Sequence, residues 1–189
     1  MTAKPGERRL QILQTLASML ENPRTEKVTT AALAARLDVS EAALNLHFSS
    51  KAQMFEGLIE FIESTLFSFI NKIGTESNDG AAQAEQTVVM LLSFAEKNPG
   101  MTRVLIGEAL VNEDERLQAR INQLTDKLEA ALRQSLRIAQ AANGWHGDAQ
   151  ADAAVLIAYV LGRWQLFAKS GFKRTPQDGW ALQRKFLFG

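Results

Sequence analysis

Apolar residues recur three and four positions apart along nearly every long segment of this chain. The pattern is clearest in residues 112–142, where Leu117, Ile121, Leu124 and Leu128 form one stripe. This spacing places side chains on one face of an α-helix, whereas a half-buried strand alternates apolar and polar residues. Because no stretch of several residues alternates in that way, the sequence predicts an all-α fold.

Breaks in the apolar pattern predict where the helices begin and end. The first helix is expected to stop at Asn22-Pro23, and Ser50 and Gln53 have the spacing of a capping box at the start of a long helix. The predicted helices are residues 7–20, two short helices within 29–51, residues 50–74, a helix through 88–95, then 101–111, 112–142, 148–170 and a last one beginning at Thr175-Pro176. We assign residues 1–52 to an N-terminal head and residues 53–189 to a helical core.

The charges of the chain balance, with 21 Lys and Arg against 21 Asp and Glu. The molecule as a whole therefore attracts neither nucleic acid nor a membrane surface, although residues 1–51 hold seven basic and five acidic side chains. The polar N-terminus lacks the apolar stretch of a secretion signal, and the longest apolar run, residues 153–162, is too short to cross a bilayer. We expect a cytoplasmic protein without membrane association.

Patterns typical of catalysis or metal binding are missing from the sequence. The chain contains no cysteine, which excludes disulfides, thiolate nucleophiles and the commonest zinc sites. Its two histidines, His47 and His146, are far apart, and no Gly-rich phosphate loop or paired nucleophile and base is present. The sequence predicts no enzyme activity, no metal site and no cofactor.

Residues 29–51 have the pattern of a helix-turn-helix. Asp38 falls where the chain must reverse, and Asp is among the few non-glycine residues that tolerate a left-handed backbone. Thr29 or Thr30 is expected to cap the first short helix, and Ser40 is a good N-cap for the second. Val39 before this cap and Leu44 after it have the spacing of a hydrophobic staple, which fixes how the chain enters the helix.

Most side chains on the outer face of this second helix are small, so the helix could enter a DNA major groove. Asn45 could hydrogen-bond a base or a phosphate, His47 a phosphate or a backbone carbonyl, and the hydroxyls of Thr29 and Thr30 suit phosphate oxygens. The predicted DNA-binding residues are Thr29, Thr30, Ser40, Glu41, Ala42, Asn45, Leu46, His47 and Lys51. Two short helices at a tight turn also occur in domains that never touch DNA. A helical interaction protein with weakened DNA binding therefore stays open as an alternative.

The run VTTAALAARLDVSEAALNLHFSSK at residues 28–51, followed by a long helix, resembles the head of the TetR family of bacterial DNA-binding regulators. Further stretches, at residues 11–21, 57–63, 96–105 and 114–124, are similar to the nucleoid-occlusion branch of that family. The resemblance implies a TetR-type nine-helix fold, with a DNA-binding head and a C-terminal domain for dimerisation and regulation. It also implies a homodimer that binds palindromic double-stranded DNA on the nucleoid and antagonises assembly of the division protein FtsZ.

The same resemblance implies a partner surface between the long helix after the head and the next helix. The residues assigned to it are Phe61, Phe69, Phe94, Lys97 and Asn98. Phe69 stands where relatives carry Arg, and in the head Asn45 replaces a Tyr whose hydroxyl reaches a phosphate, with Leu46 after it in place of a polar residue.

An apolar stripe near the C-terminus consists of Val160, Leu161, Trp164 and Phe167. Such a stripe more often packs against another helix than against a ligand, so it is interpreted as a dimer or core seam and is assigned to dimerisation. Trp164, Phe167 and Phe172 could instead line a small-molecule pocket. A ligand-responsive TetR-type repressor is therefore the alternative function.

Overall fold

The computed structural model describes residues 5–22 and 28–189. These residues form nine α-helices and one 3-10 helix, without a strand in the ranges described. The helices are α1 (Pro5–Leu20), α2 (Thr30–Arg36), α3 (Glu41–Asn45), α4 (Lys51–Glu76), α5 (Gly80–Lys97), α6 (Pro99–Leu105), the 3-10 helix Glu108–Leu110, α7 (Glu115–Ala141), α8 (Ala149–Lys169) and α9 (Trp180–Phe188). The all-α, nine-helix prediction is confirmed.

The helices cluster into two packing units. Unit 1 comprises residues 1–62 and 98–120, and unit 2 comprises residues 63–97 and 121–189. The division at residue 52, which separates a DNA-binding head from the remainder, is defined by function rather than by packing and stays a prediction.

In unit 1, helix α1 packs against both α2 and α6. The crossing with α6 is close, because a Cβ on Gly100 would lie 2.0 Å from the carbonyl oxygen of Ala17. Beside it, a guanidinium N–H of Arg103 donates to the carbonyl of Leu20 at 2.8 Å. Part of unit 1 thus comes from a segment that follows α5 in the sequence. The predicted stop of α1 at Pro23 lies outside the described residues.

Three predicted helix boundaries are wrong. The helix expected from residue 112 begins at Glu115, after Asn112 with a left-handed φ of 68°, and glycines shift the other two. The helix expected over residues 101–111 is divided at Gly107, whose φ of 78° ends α6 and leads into the 3-10 helix. The last helix begins at Trp180 rather than at Thr175-Pro176, since Gly179 adopts a left-handed conformation as its N-cap. Glycine takes this conformation without steric cost, so both positions favour a new start.

In unit 2, helix α8 packs against α5. The indole N–H of Trp164 donates to the carbonyl of Leu91 at 3.0 Å, and Trp164 is 1% exposed. Val160 and Phe167 are buried with it. This corrects the assignment of Val160, Trp164 and Phe167 to dimerisation: these side chains form the core seam within one chain, and only Leu161 of the stripe stays partly exposed.

Helix α8 also has a second apolar face. Val155 and Leu166 are exposed, and other exposed positions on that face are small: Ala151, Ala158 and Gly162. Because both faces are apolar, α8 has the length and composition of a membrane span, and it is the only helix in the described ranges that does. A third of its apolar window is buried inside the protein.

Within unit 2, helix α9 is joined to α5 by an ion pair. The guanidinium of Arg184 makes a two-pronged ion pair with Glu85 of α5, at 2.5 and 2.8 Å. The hydrogen bond and the charge of Arg184 lower the pKa of Glu85 below 4.5, although partial burial acts in the opposite direction. Leu182 and Phe186, on the other side of α9, are exposed.

Candidate DNA-binding site

The helix-turn-helix forms as its caps predict. The Thr29 hydroxyl accepts a hydrogen bond from the amide of Ala32 at 3.0 Å and begins α2. Asp38 has a φ of 53° at the turn, and the Ser40 hydroxyl accepts from the amide of Ala43 at 3.1 Å to begin α3. Each cap satisfies an amide that has no partner within the helix.

Helix α3 is held in place by packing, since five residues are too few to be stable alone. Leu44 is buried, and so is Phe48 just beyond the helix. Val39 and Leu44, the predicted staple pair, line a cleft of about 150 Å³ together with Ile12 of α1. The buried side fixes which residues of α3 face outward.

The outward residues of α3 are Ala42, Asn45 and Leu46, all of them exposed, with Leu46 at 86%. Glu41 is exposed as well, and its carboxylate accepts a hydrogen bond from the Thr30 hydroxyl at 2.7 Å. This face therefore carries one carboxylate, one amide and one large apolar side chain, and it has no cation. A helix of this kind can approach base edges but gains little attraction to phosphates.

The three predicted hydroxyl contacts differ in what they can still donate. The oxygens of Thr29 and Ser40 act as acceptors in the caps, so their O–H groups stay available to a phosphate oxygen. The Thr30 hydroxyl instead donates a hydrogen bond to the carboxylate of Glu41. A phosphate contact by the side chain of Thr30 requires that bond to break.

The predicted cation Lys51 is paired within unit 1. Its ammonium lies 2.5 Å from the carboxylate of Glu113, and the two side chains are 31% and 20% exposed. Nearby, the guanidinium of Arg116 lies 3.1 Å from the carboxylate of Glu56 on the same helix as Lys51. The beginning of α4 is thus tied both to the segment just before α7 and to the first turn of α7.

A second cation beside α3 was missed by the sequence analysis. The guanidinium carbon of Arg9 lies 4.1 Å from the centroid of the Phe48 ring, and the guanidinium donates to the carbonyl of His47. This contact places a positive charge at the C-terminal end of α3, where a helix dipole favours it. The adjacent pair Arg8-Arg9 was the only signal in the sequence.

The five predicted partner residues divide between the two units. Phe61 and Asn98 belong to unit 1, and Phe69, Phe94 and Lys97 belong to unit 2. Phe94 is 8% exposed and packs in the core of unit 2, which corrects its assignment to a binding surface. Lys97 and Phe69 are exposed.

Phe69 lines an open groove of about 550 Å³ between α4 and α5 of unit 2. Ile73, Val89 and Met90 supply its other apolar walls, and Lys72 lies at its side. The groove is large enough for several side chains of a peptide.

Within residues 5–22 and 28–189, no three His, Asp or Glu side chains converge as metal ligands would.

The sequence matches two family models. Residues 25–58 match the N-terminal model of the tetR family of bacterial regulatory proteins, and residues 79–189 match a SlmA-like, tetracyclin repressor-like C-terminal domain.

Full-length relatives share nearly half of the sequence. The nucleoid occlusion factor SlmA of Alteromonas mediterranea is 49% identical over 93% of this chain and 91% of its own length. The SlmA of Marinomonas sp. is 47% identical over 97% and 94%, and that of Vibrio cholerae is 48% identical over 95% of each chain.

Solved structures share the fold at much lower identity. The transcriptional regulator FadR of Bacillus subtilis, in complex with stearoyl-CoA, has a TM-score of 0.77 at 12% identity and covers 95% of this chain and 97% of its own. A TetR/AcrR-family regulator of Thermobifida fusca has a TM-score of 0.67 at 11% identity, over 90% and 95% of the two chains.

Proposed function

Because this chain belongs to the SlmA branch of the TetR family of DNA-binding regulators, we propose that it acts as a nucleoid occlusion factor. It binds palindromic sites on the chromosome as a homodimer and antagonises assembly of FtsZ over the nucleoid. It works in the cytoplasm, on the nucleoid, and the proposal includes no catalytic step.

One observation carries the DNA-binding part of the proposal. Helix α3 is capped at Ser40 and anchored inward by Leu44, so that Ala42, Asn45 and Leu46 face outward. Small and amide side chains on an outward face suit the major groove, where an amide can pair with a base edge and an apolar group can meet a thymine methyl.

The homodimer is supported by apolar surface on unit 2. Val155 and Leu166 of α8 and Leu182 and Phe186 of α9 are all exposed. Exposed apolar side chains of this kind are typical of protein interfaces, and a second copy that exposes the same side chains allows a twofold interface. These four residues replace the buried members of the stripe as our proposed dimer contacts.

The groove lined by Phe69 supports the proposed contact with FtsZ. Its apolar walls suit apolar side chains of an extended or helical peptide segment. Phe69 offers ring surface and no charge, so this contact depends more on apolar burial than on charge. Lys97 stays in the proposal as an exposed cation, and Phe61 and Asn98 stay as proposed contacts in unit 1.

Titration of a labelled palindromic duplex tests DNA binding. Fluorescence anisotropy should report binding that weakens steeply as salt rises, because phosphate contacts release counterions. Asn45→Ala should reduce the preference for the palindrome over a scrambled duplex if Asn45 reads a base. A flat titration even at low salt would instead favour the interaction protein with a non-functional head.

A sedimentation assay with purified FtsZ and GTP tests the second half of the proposal. We expect polymer loss only when both this protein and its specific DNA are present. Phe69→Ala should abolish that loss while leaving DNA affinity unchanged, and Ser68→Ala, an exposed neighbour that does not line the groove, serves as the matched control. Polymer loss that survives Phe69→Ala contradicts the groove assignment.

The ligand-responsive repressor is the weaker candidate. Of the three side chains suggested to line its pocket, Trp164 and Phe167 are buried in unit 2, and the ring of Phe172 packs on Phe167 at 5.1 Å. These rings are therefore already in contact with other side chains. A map of chromosomal binding sites separates the two functions: many dispersed sites support nucleoid occlusion, whereas a single site beside the protein's own gene supports local repression.

A further inference from the structure

The ion pair between Lys51 and Glu113 joins a predicted phosphate contact to a carboxylate from a distant part of the sequence. The ammonium and the carboxylate oxygen are 2.5 Å apart, and 62 positions separate the residues. Since Glu113 lies outside the helix-turn-helix, the sequence of the motif does not predict a negative charge beside Lys51.

The position of Glu113 is fixed by its surroundings. Asn112 before it adopts a left-handed φ of 68°, and Arg116 after it bridges to both Glu56 of α4 and Asp114. A side chain whose backbone is held in this way has less conformational entropy to lose on pairing than one on a mobile loop. The pair with Lys51 therefore starts from a backbone position that unit 1 already holds.

A phosphate oxygen and a carboxylate oxygen make the same demand on an ammonium group, and both are negative. Sharing Lys51 between them brings two anions together, and giving Lys51 to the phosphate leaves a partly buried carboxylate without its partner. Either outcome subtracts from the free energy of DNA binding.

We infer that the Glu113 carboxylate competes with a DNA phosphate for the Lys51 ammonium, and so lowers the affinity of the head for every duplex. The inference rests on the proposed DNA binding. Because phosphate contacts carry no sequence information, the effect is the same for palindromic and scrambled DNA. Removing the competitor should strengthen binding by about twofold to fivefold per head, the range for ion pairs near the surface.

The test compares the full-length Glu113→Gln variant with the wild-type protein. Anisotropy titrations on the palindrome and on a scrambled duplex should both shift to tighter binding by the same factor. Glu115→Gln, which removes the same charge two residues away at an exposed position, is the matched control and should give a smaller gain. An equal gain in both variants means a general charge effect and overturns the inference.

A second background isolates the role of Lys51. In a Lys51→Gln protein, adding Glu113→Gln should tighten binding no more than adding Glu115→Gln does, because the contested cation is absent and only the general charge effect is left. A larger gain there contradicts the inference, and so does weaker binding by Glu113→Gln alone, which would make Glu113 a support for Lys51. If Glu113→Gln loosens the fold, Glu113→Asp takes its place. This variant keeps the charge but shortens the side chain, and it should tighten DNA binding by a smaller factor.

Failure of the inference and failure of the proposed function give different results. If the wild-type protein binds neither duplex, the proposed function is wrong. If it binds the palindrome and Glu113→Gln does not bind more tightly, only the competition is wrong.

Discussion

Replacing Ser40 by alanine separates two roles that one hydroxyl can have in the head. Its oxygen accepts the amide of Ala43 at 3.1 Å and caps α3, while its proton is free for a phosphate. Loss of an N-cap costs about 1 kcal/mol of unfolding free energy, which lowers the melting temperature of a protein this size by about 2–4 °C. Loss of a hydrogen bond to a charged group costs about 1.5–3 kcal/mol, or roughly tenfold or more in DNA affinity per head.

The two effects are measured independently. A protein stable by about 5–15 kcal/mol stays almost wholly folded after losing 1 kcal/mol, so the cap alone does not lower DNA affinity. Thermal melting followed by circular dichroism reports the cap, and duplex anisotropy reports the phosphate contact. Ser40→Asn, which keeps a capping oxygen, should melt close to the wild-type protein and serves as the control.

Two outcomes refute this reasoning. If Ser40→Ala melts with the wild-type protein, the hydroxyl is not the cap of α3. If it melts lower but binds DNA as tightly, then Ser40 does not contact a phosphate and the orientation proposed for α3 loses one of its supports.

Four other substitutions test the packing within the two units. Gly100→Ala puts a Cβ 2.0 Å from a carbonyl oxygen of α1 and should lower the free energy of unfolding by about 1–3 kcal/mol. Gly74→Ala has open space around it and should raise that free energy by about 0.5–1 kcal/mol. Urea unfolding that ranks the two variants the other way contradicts the close contact between α1 and α6. Trp164→Ala should cost about 3–5 kcal/mol, and a loss below about 1 kcal/mol would be inconsistent with its place in the core. Because Arg184 lowers the pKa of Glu85 below 4.5, their pair stabilises the protein above that pH and is lost as the pH falls through the lowered value. Glu85→Gln should therefore be less stable than the wild-type protein at about pH 7, and the difference should shrink as the pH falls below 4.5. A difference that does not depend on pH excludes the linkage.

The features that the sequence predicted correctly are local ones. The caps at Thr29 and Ser40 and the left-handed turn at Asp38 each depend on side chains within four residues of the backbone they serve. A propensity is decisive at that range, because the partner is fixed by helix geometry and not by the tertiary fold.

The features that the sequence did not predict join distant residues or choose between equal faces. Arg9 and the carbonyl of His47 are 38 positions apart, and no spacing rule links them. Helix α8 has two apolar faces, and periodicity alone does not tell which is buried in its own chain. Trp164 was assigned to the dimer for that reason, although it lies in the core and Leu166 is exposed.

The sequence order of unit 1 has a consequence for synthesis on the ribosome. Gly100 and Arg103 contact α1, so the packing of unit 1, which includes the head, is incomplete until the chain has been made through α6 and the beginning of α7. At about 5–20 residues per second, the nascent helix-turn-helix waits several seconds for these contacts. During that interval the apolar side of α1 that later meets α6 is open to chaperones, and a ribosome pause before Arg120 would lengthen the exposure.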